Sequence, residues 1–248
     1  RCRFIRFNRR VIWKLEIDFM RTHNIKKEAL SEVVKDIQKY SPHPQEVNII
    51  AVTKNFNYSS IISAQENNIP CIGENKVQEF LTKKEEMQNN KLVVETHLIG
   101  HLQSNKVNKA VGQFNVIQTV DSLKIAEKIN RRAGQLEIKQ QIYIQINVGS
   151  DPNKHGFSKE NIYKNIEQIS TKNNLELKGL MTILPFDKDP KKSQKFFNQM
   201  TKIKEKVEKN INDGCVFLSM GMSRDYKYAL KEGSTHLRIG TKLYGQRP

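Results

Sequence analysis

The sequence predicts an α/β protein, a single (β/α)8 barrel of the TIM type with one extra helix on its N-terminal side. Three observations predict it. Short apolar runs fall at 47–54, 70–74, 93–99, 116–120, 140–148, 175–183, 216–220 and 236–240. The first, "VNIIAVTK", is rich in β-branched residues without alternation, which suits a strand covered on both faces of a parallel sheet. Helix-like stretches separate most of the runs, among them "KVQEFLTKKEEMQ", "DSLKIAEKINRRAG" and "PKKSQKFFNQMTKIKEKVEKN". Eight such alternations favour a closed barrel over an open doubly wound sheet. No linker rich in Pro, Gly or Ser divides the series, and 248 residues suit one barrel.

The extra helix is "IKKEALSEVVKDIQKY", ended by Ser41 and Pro42. Ahead of it, residues 1–22 form a basic extension, and residues 23–248 are assigned to the barrel domain. The extension opens "RCRFIRFNRRVIWK", with six basic residues and no acidic one. That pattern reads as a mitochondrial targeting segment, although it is poor in serine, or as residues ahead of a start at Met20. Apart from it, the expected location is cytoplasmic: Cys2, Cys71 and Cys215 are too few and too scattered for a disulfide framework and fit a reducing compartment.

Composition excludes several functions. No run approaches the roughly 18 apolar residues of a membrane span. The net charge is +16, yet 31 of the 42 basic residues are lysines scattered along helix-like segments and not gathered with aromatics. This describes a solvated surface that attracts small anions, not a nucleic-acid interface. The six histidines show no metal-ligand spacing, so no metal is expected.

Barrels of this kind place their chemistry at the C-terminal ends of the strands. Those ends carry Lys54, the "GEN" of Gly73, Glu74 and Asn75, "HLIGHLQSNK" from His97, Asp121, "NVGSDPNKHGF", "SMGMS" and "RIGT". "SMGMS" sets Ser219, Gly221 and Ser223 after the seventh strand, and "RIGT" sets Gly240 and Thr241 after the eighth. Glycine-freed backbone N–H groups beside hydroxyls make a phosphate cradle, and strands 7 and 8 are where barrels commonly hold one. Opposite it, Lys54 ends the first strand. A lysine partly desolvated by a barrel mouth can attack an aldehyde as a free amine. A phosphate-bearing aldehyde held by lysine describes pyridoxal 5′-phosphate (PLP), with a sugar-phosphate aldolase as the competing case. Arg238 shares a strand face with Gly240 and points toward the same ligand.

The ordered motifs "AVTK", "IGENKVQE", "HLIGHLQSNK", "VDSLKIAEK", "NVGSDPNKHGF", "GLMTI", "LSMGMSRDY" and "RIGTKLYGQR" resemble those of the PLP homeostasis (PLP-binding) protein family, from about Val47 to Arg247. The barrel of that family is like the N-terminal domain of alanine racemase. The resemblance implies that Lys54 carries PLP as a Schiff base. It implies that Ser219, Ser223, Gly240 and Thr241 hold the phosphate, that Asn75 lines the ring, and that Arg238 faces the pyridine nitrogen. Two positions depart from the pattern: Lys76 stands where an aromatic residue is common and Asn57 where proline is frequent.

The implied function is a carrier of PLP within the cell, without robust catalysis and without assigned catalytic residues. The alternative is an amino-acid racemase. In alanine racemase the second proton donor is a tyrosine of a C-terminal β-domain, and the expectation here is that the barrel ends at "KLYGQRP" without one. Implied partners are PLP and apo forms of PLP-dependent enzymes, with a monomer or weak dimer as the assembly. Other polar residues read more simply as structure. His97 reads as a buried barrel residue and His101 as a helix start. Asp121 with Ser122 reads as an N-cap, and Glu74 as half of an ion pair inside the barrel mouth. Lys154 and His155 lie either over the cofactor or on the surface.

Overall fold

The computed structural model describes residues 23–185 and 189–246; the basic extension of residues 1–22 lies outside them. Eight parallel strands close in sequence order into a barrel: β1 (Asn48–Val52), β2 (Cys71–Glu74), β3 (Glu95–Leu98), β4 (Val116–Val120), β5 (Gln140–Gln145), β6 (Leu175–Met181), β7 (Phe217–Met222) and β8 (His236–Ile239). The described helices are α1 (Lys27–Tyr40), α2 (Ser59–Glu66), α3 (Val77–Asn89), α4 (Val107–Ala110), α5 (Leu123–Gln135), α6 (Ile162–Ser170), α7 (Gln194–Asn210), α8 (Tyr226–Lys231) and α9 (Thr241–Tyr244). The expected barrel and its extra helix α1 are both present. No described helix is long and apolar enough to cross a membrane.

Strand periodicity sorts the side chains into two sets. Ile49 and Ala51 of β1, Ile72 of β2, and Leu237 and Ile239 of β8 join the apolar layer beneath the helices. Their neighbours Ile50, Val52, Gly73 and Arg238 face the barrel axis, in register with one another: Ile50 pairs with Arg238, and Val52 with Gly73. Near the axis a small apolar group of Val116, Tyr143 and Met181, flanked by Ile183 and Phe217, accounts for only part of the filling. The remainder is polar: His97, Gln118, Ser219, His236 and Arg238 are all buried. Such groups are tolerated in a dry interior only when hydrogen-bonded. α1 docks through Val33 and Ile37, and Tyr226 of α8 donates to the Asp36 carboxylate beside them.

Burial, opposed in part by the Glu95 carboxylate, pulls the His236 imidazole down to about 3 from an ordinary 6.5. The folded protein therefore binds fewer protons than the unfolded chain below pH 6.5. This contribution to stability is complete above that pH and is lost as pH falls toward 3. Between pH 6.5 and 5 it amounts to about 2 kcal/mol. A His236→Gln variant is expected to lose less stability than the parent over that interval, as read from urea unfolding at the two pH values.

Candidate active site at the C-terminal mouth

Beyond β1 the chain continues Thr53-Lys54-Asn55, and the strand alternation carries Lys54 to the same face as Ile50 and Val52. Lys54 is half-buried and lines a cavity of about 360 Å3 at the C-terminal mouth. Asn75, Ile99, Lys154, Ser223, Asp225, Arg238, Gly240 and Thr241 line it as well. Of the seven residues singled out in the sequence, six meet here: Lys54, Asn75, Ser223, Arg238, Gly240 and Thr241.

Ser219 is placed otherwise. Strand β7 runs on to Met222, so Ser219 lies within the strand, and its hydroxyl is fully buried between Gln118 and Arg238. The register between β7 and β8 shifts after Ser219, with Gly221 at φ +91°. This bulge brings Met222, and not residue 221, to the cavity. Gly221 itself faces α8, where a Cβ would come within 2.6 Å of Ala229 Cβ and 3.0 Å of Tyr226 Cα. Its role is close helix packing, and only Ser223 follows the strand end. The Ser223 hydroxyl accepts from the Lys242 backbone N–H at 3.3 Å, tying the loop after β7 to the turn after β8.

Arg238 is held from two sides. Its Nη1 donates to Ser219 Oγ and its Nη2 to the Thr182 carbonyl, both at 2.7 Å. Burial lowers the guanidinium to about 10, partly opposed by the Asp225 carboxylate, so it stays charged at neutral pH. Asn75 is positioned by a close backbone approach: a Cβ on Gly100 would lie 2.3 Å from the Asn75 carbonyl oxygen.

The turn bearing Lys54 is clamped on both sides. The buried Lys83 ammonium, from α3, donates to the Thr53 carbonyl at 2.8 Å, to Glu74 Oε1 at 2.7 Å and to Glu79 Oε1 at 3.0 Å. Glu74 Oε1 also accepts from the Thr53 hydroxyl at 2.7 Å, and Glu79 Oε1 accepts from the Asn55 N–H at 2.6 Å. Asn55 sits at φ +62°, a conformation that needs such support. Glu74 thus has an ion pair, but in the layer between sheet and helix and not in the barrel mouth. The cause is strand parity, which turns Glu74 outward with Ile72. Burial pushes its carboxyl up despite Lys83, and its Oε2 has no hydrogen-bond partner among the described residues.

Asp121 is not the cap of α5. Ser122 is, its Oγ accepting from the Ile125 N–H. Asp121 Oδ2 instead lies 3.0 Å from His101 Nδ1 and 3.8 Å from His155 Nδ1. His101 precedes the helical residues and stacks on His155 at 3.6 Å between centroids with the rings 9° apart. A metal bonded through Nδ1 lies in the plane of its imidazole, and two parallel rings at this spacing do not share one in-plane point. The cluster is a pair of stacked imidazoles beside a carboxylate at the rim.

The family model for the alanine racemase N-terminal domain matches residues 25–248. The pyridoxal phosphate homeostasis protein of Aquifex aeolicus is 38% identical over 175 residues, 71% of this chain and 76% of that one. This chain belongs to the pyridoxal phosphate homeostasis protein family. The human protein of that name is 34% identical over 234 residues, covering 89% of this chain and 82% of its own. Among solved structures, PipY of Synechococcus elongatus with PLP bound superposes at TM-score 0.77 with 32% identity, over 88% of this chain and 99% of that one. An alanine racemase of Clostridium difficile shares the fold at TM-score 0.69, with 17% identity over 91% of this chain and 62% of that one.

Sequence reasoning missed Lys83, Gln118 and Thr182. The Glu79–Lys83 spacing of four was a readable signal for a helix-surface pair. That the pair lies beneath the Lys54 turn depends on how α3 docks.

Proposed function

We propose that this protein binds PLP covalently at Lys54 and takes part in PLP homeostasis by carrying the cofactor, without robust catalysis. The observation that carries the reading is the convergence of Lys54, Asn75, Ser223, Arg238, Gly240 and Thr241 on one cavity. Its volume, about 360 Å3, falls within the range of roughly 300–1,000 Å3 for small-molecule and cofactor sites. The donor set fits a phosphorylated aldehyde: an amine at one wall, and hydroxyls with a glycine turn at another. The name of the relatives and the PLP bound to PipY support the same ligand.

When bound, PLP supplies an aldehyde for condensation with amines and an electron-withdrawing ring. Lys54 would supply the amine that holds the aldehyde reversibly. The Ser223 and Thr241 hydroxyls would hold the phosphate, with the Gly240 turn leaving room for it, and Asn75 would line the ring. Arg238, a charged donor that cannot take up a proton, would oppose protonation of the ring nitrogen. That choice would weaken carbanion chemistry but not reversible holding. On this reading the recipients are apo PLP-dependent enzymes, the assembly is a monomer or weak dimer, and the location is cytoplasmic.

The test is an absorption spectrum of the PLP-loaded protein, a band near the visible edge being removed by borohydride. In parallel, Ser223→Ala with Thr241→Ala is expected to weaken PLP retention at least about tenfold, since each hydrogen bond to a charged group contributes roughly 1.5–3 kcal/mol. Pyridoxal retention should change little; equal losses for both ligands would remove these hydroxyls from the phosphate site. Loaded protein should restore activity to an apo PLP enzyme. Racemisation of any common amino acid at about 1 per second or faster would replace the carrier reading by the racemase.

A further inference from the structure

We propose that Gln118 and His97 are positioning residues for Arg238, acting through Ser219 along one hydrogen-bond chain that crosses the barrel interior. The inference rests on the reading of Arg238 as the partner of the cofactor ring. It begins at Arg238 Nη1, which donates to Ser219 Oγ at 2.7 Å. Ser219 Oγ donates to Gln118 Oε1 at 2.7 Å, and Gln118 Nε2 meets His97 Nδ1 at 2.7 Å. His97 Nε2 lies 3.1 Å from Glu95 Oε1. Glu95 starts β3, at the mouth opposite the cavity, and its side chain is 45% exposed. The four side chains between it and the cavity are all buried.

The two ends fix the direction of every bond. A guanidinium only donates, so Ser219 must accept from it and turn its own proton to Gln118. The amide therefore presents oxygen to Ser219 and its NH2 to His97. His97 Nδ1 then accepts, which leaves the imidazole proton on Nε2, aimed at Glu95. An ionised carboxylate only accepts, so the far end demands the same tautomer. The His97 N–H, first among its neighbours, holds the Glu95 carboxyl below its ordinary range, and Cys71 Sγ lies 3.5 Å from its other oxygen.

Each member thereby decides the polarity of the next. Without the Gln118 oxygen, the Ser219 hydroxyl loses the acceptor that keeps its lone pair toward Arg238. Were the amide reversed, its oxygen would face the His97 lone pair and its N–H groups would face Ser219. The orientation of Arg238 at the cavity thus depends on residues that do not line it.

Two measurements test this. The first needs no cofactor: long-range 1H–15N spectra of the unloaded full chain should show His97 protonated at Nε2 and unprotonated at Nδ1. A proton on Nδ1 overturns the chain. The second uses PLP-loaded protein and compares Ser219→Ala, Gln118→Met and the double variant. The two single variants should each shift the pH midpoint of the bound-cofactor absorbance in the same direction and speed PLP release about tenfold, the size of one lost hydrogen bond. The double variant should do no more than either single. Additive effects, or a Gln118→Met midpoint equal to the parent's, overturn the proposal. If the parent takes up no PLP, the cofactor reading fails by itself and the His97 spectrum decides the chain.

Discussion

Alanine at position 54 is expected to leave the fold intact and to abolish covalent attachment of PLP. Lys54 lies past the end of β1, half-buried at a cavity wall, and outside the apolar layer beneath the helices. Its removal opens no core void, so unfolding should change by no more than about 0.5 kcal/mol. Retention would then rest on the phosphate cradle and ring contacts alone. A tethered amine acts at a high effective concentration, and its loss is expected to weaken PLP binding at least about a hundredfold, or about 2.7 kcal/mol. Borohydride reduction followed by peptide mass spectrometry locates the adduct in the parent and checks its absence in the variant. Lys154 is the informative rival, since it lines the same cavity. An adduct found solely on Lys154 in the parent would move the attachment site to the loop after β5.

The strand ends were legible because parallel strands buried on both faces read as apolar runs, and residues just past those runs line the cavity. Lys54, Asn75, Gly240 and Thr241 could be named this way without knowing any contact. Ser219 could not be placed correctly, because the position of a strand end depends on backbone conformation. The bulge with Gly221 at φ +91° carries β7 to Met222, and a glycine in "SMGMS" reads equally well as the end of a strand or as a kink within one. Asp121 and Ser122 are both good caps by residue type; Ser122 is the one that caps, while Asp121 meets two histidines distant in sequence. The filling of the barrel was hidden for a related reason. Gln118 and His97 sit in strands as ordinary polar interruptions, and only closure of the sheet brings them end to end.

Lys83 shows how a residue assigned to solvent by pattern can govern the site, and its replacement by methionine is the other large effect expected. In "KVQEFLTKKEEMQ" a lysine among lysines and glutamates reads as helix surface, yet Lys83 is buried and is the one countercharge bonded to Glu74 among the described residues, a carboxylate only 1% exposed. Lys83→Met keeps the length of the stem and removes the charge, leaving a buried carboxylate uncompensated. Breaking such a pair from one side costs about 3–5 kcal/mol, or about 6–20 °C in Tm for a chain of this size. The deficit should depend on pH with a defined sign. Burial raises the Glu74 carboxyl and Lys83 opposes that rise, so without Lys83 the folded state holds the Glu74 proton more tightly still. The variant's deficit is then smallest near pH 4.5 and widens as pH rises, by at most about 1.4 kcal/mol per unit. Adding Glu74→Gln removes the stranded charge and should recover most of the stability. It does not rebuild the clamp, because the bond from Lys83 to the Thr53 carbonyl and its hold on Glu79 beside Asn55 are still missing. The double variant should therefore melt near the parent but take up PLP more slowly, since the turn presenting Lys54 is no longer held. Calorimetry at two pH values and stopped-flow uptake separate the two effects. A Tm within about 2 °C of the parent for Lys83→Met alone would mean that the buried pair contributes little, and parent-like uptake in the double variant would mean that the clamp does not position Lys54.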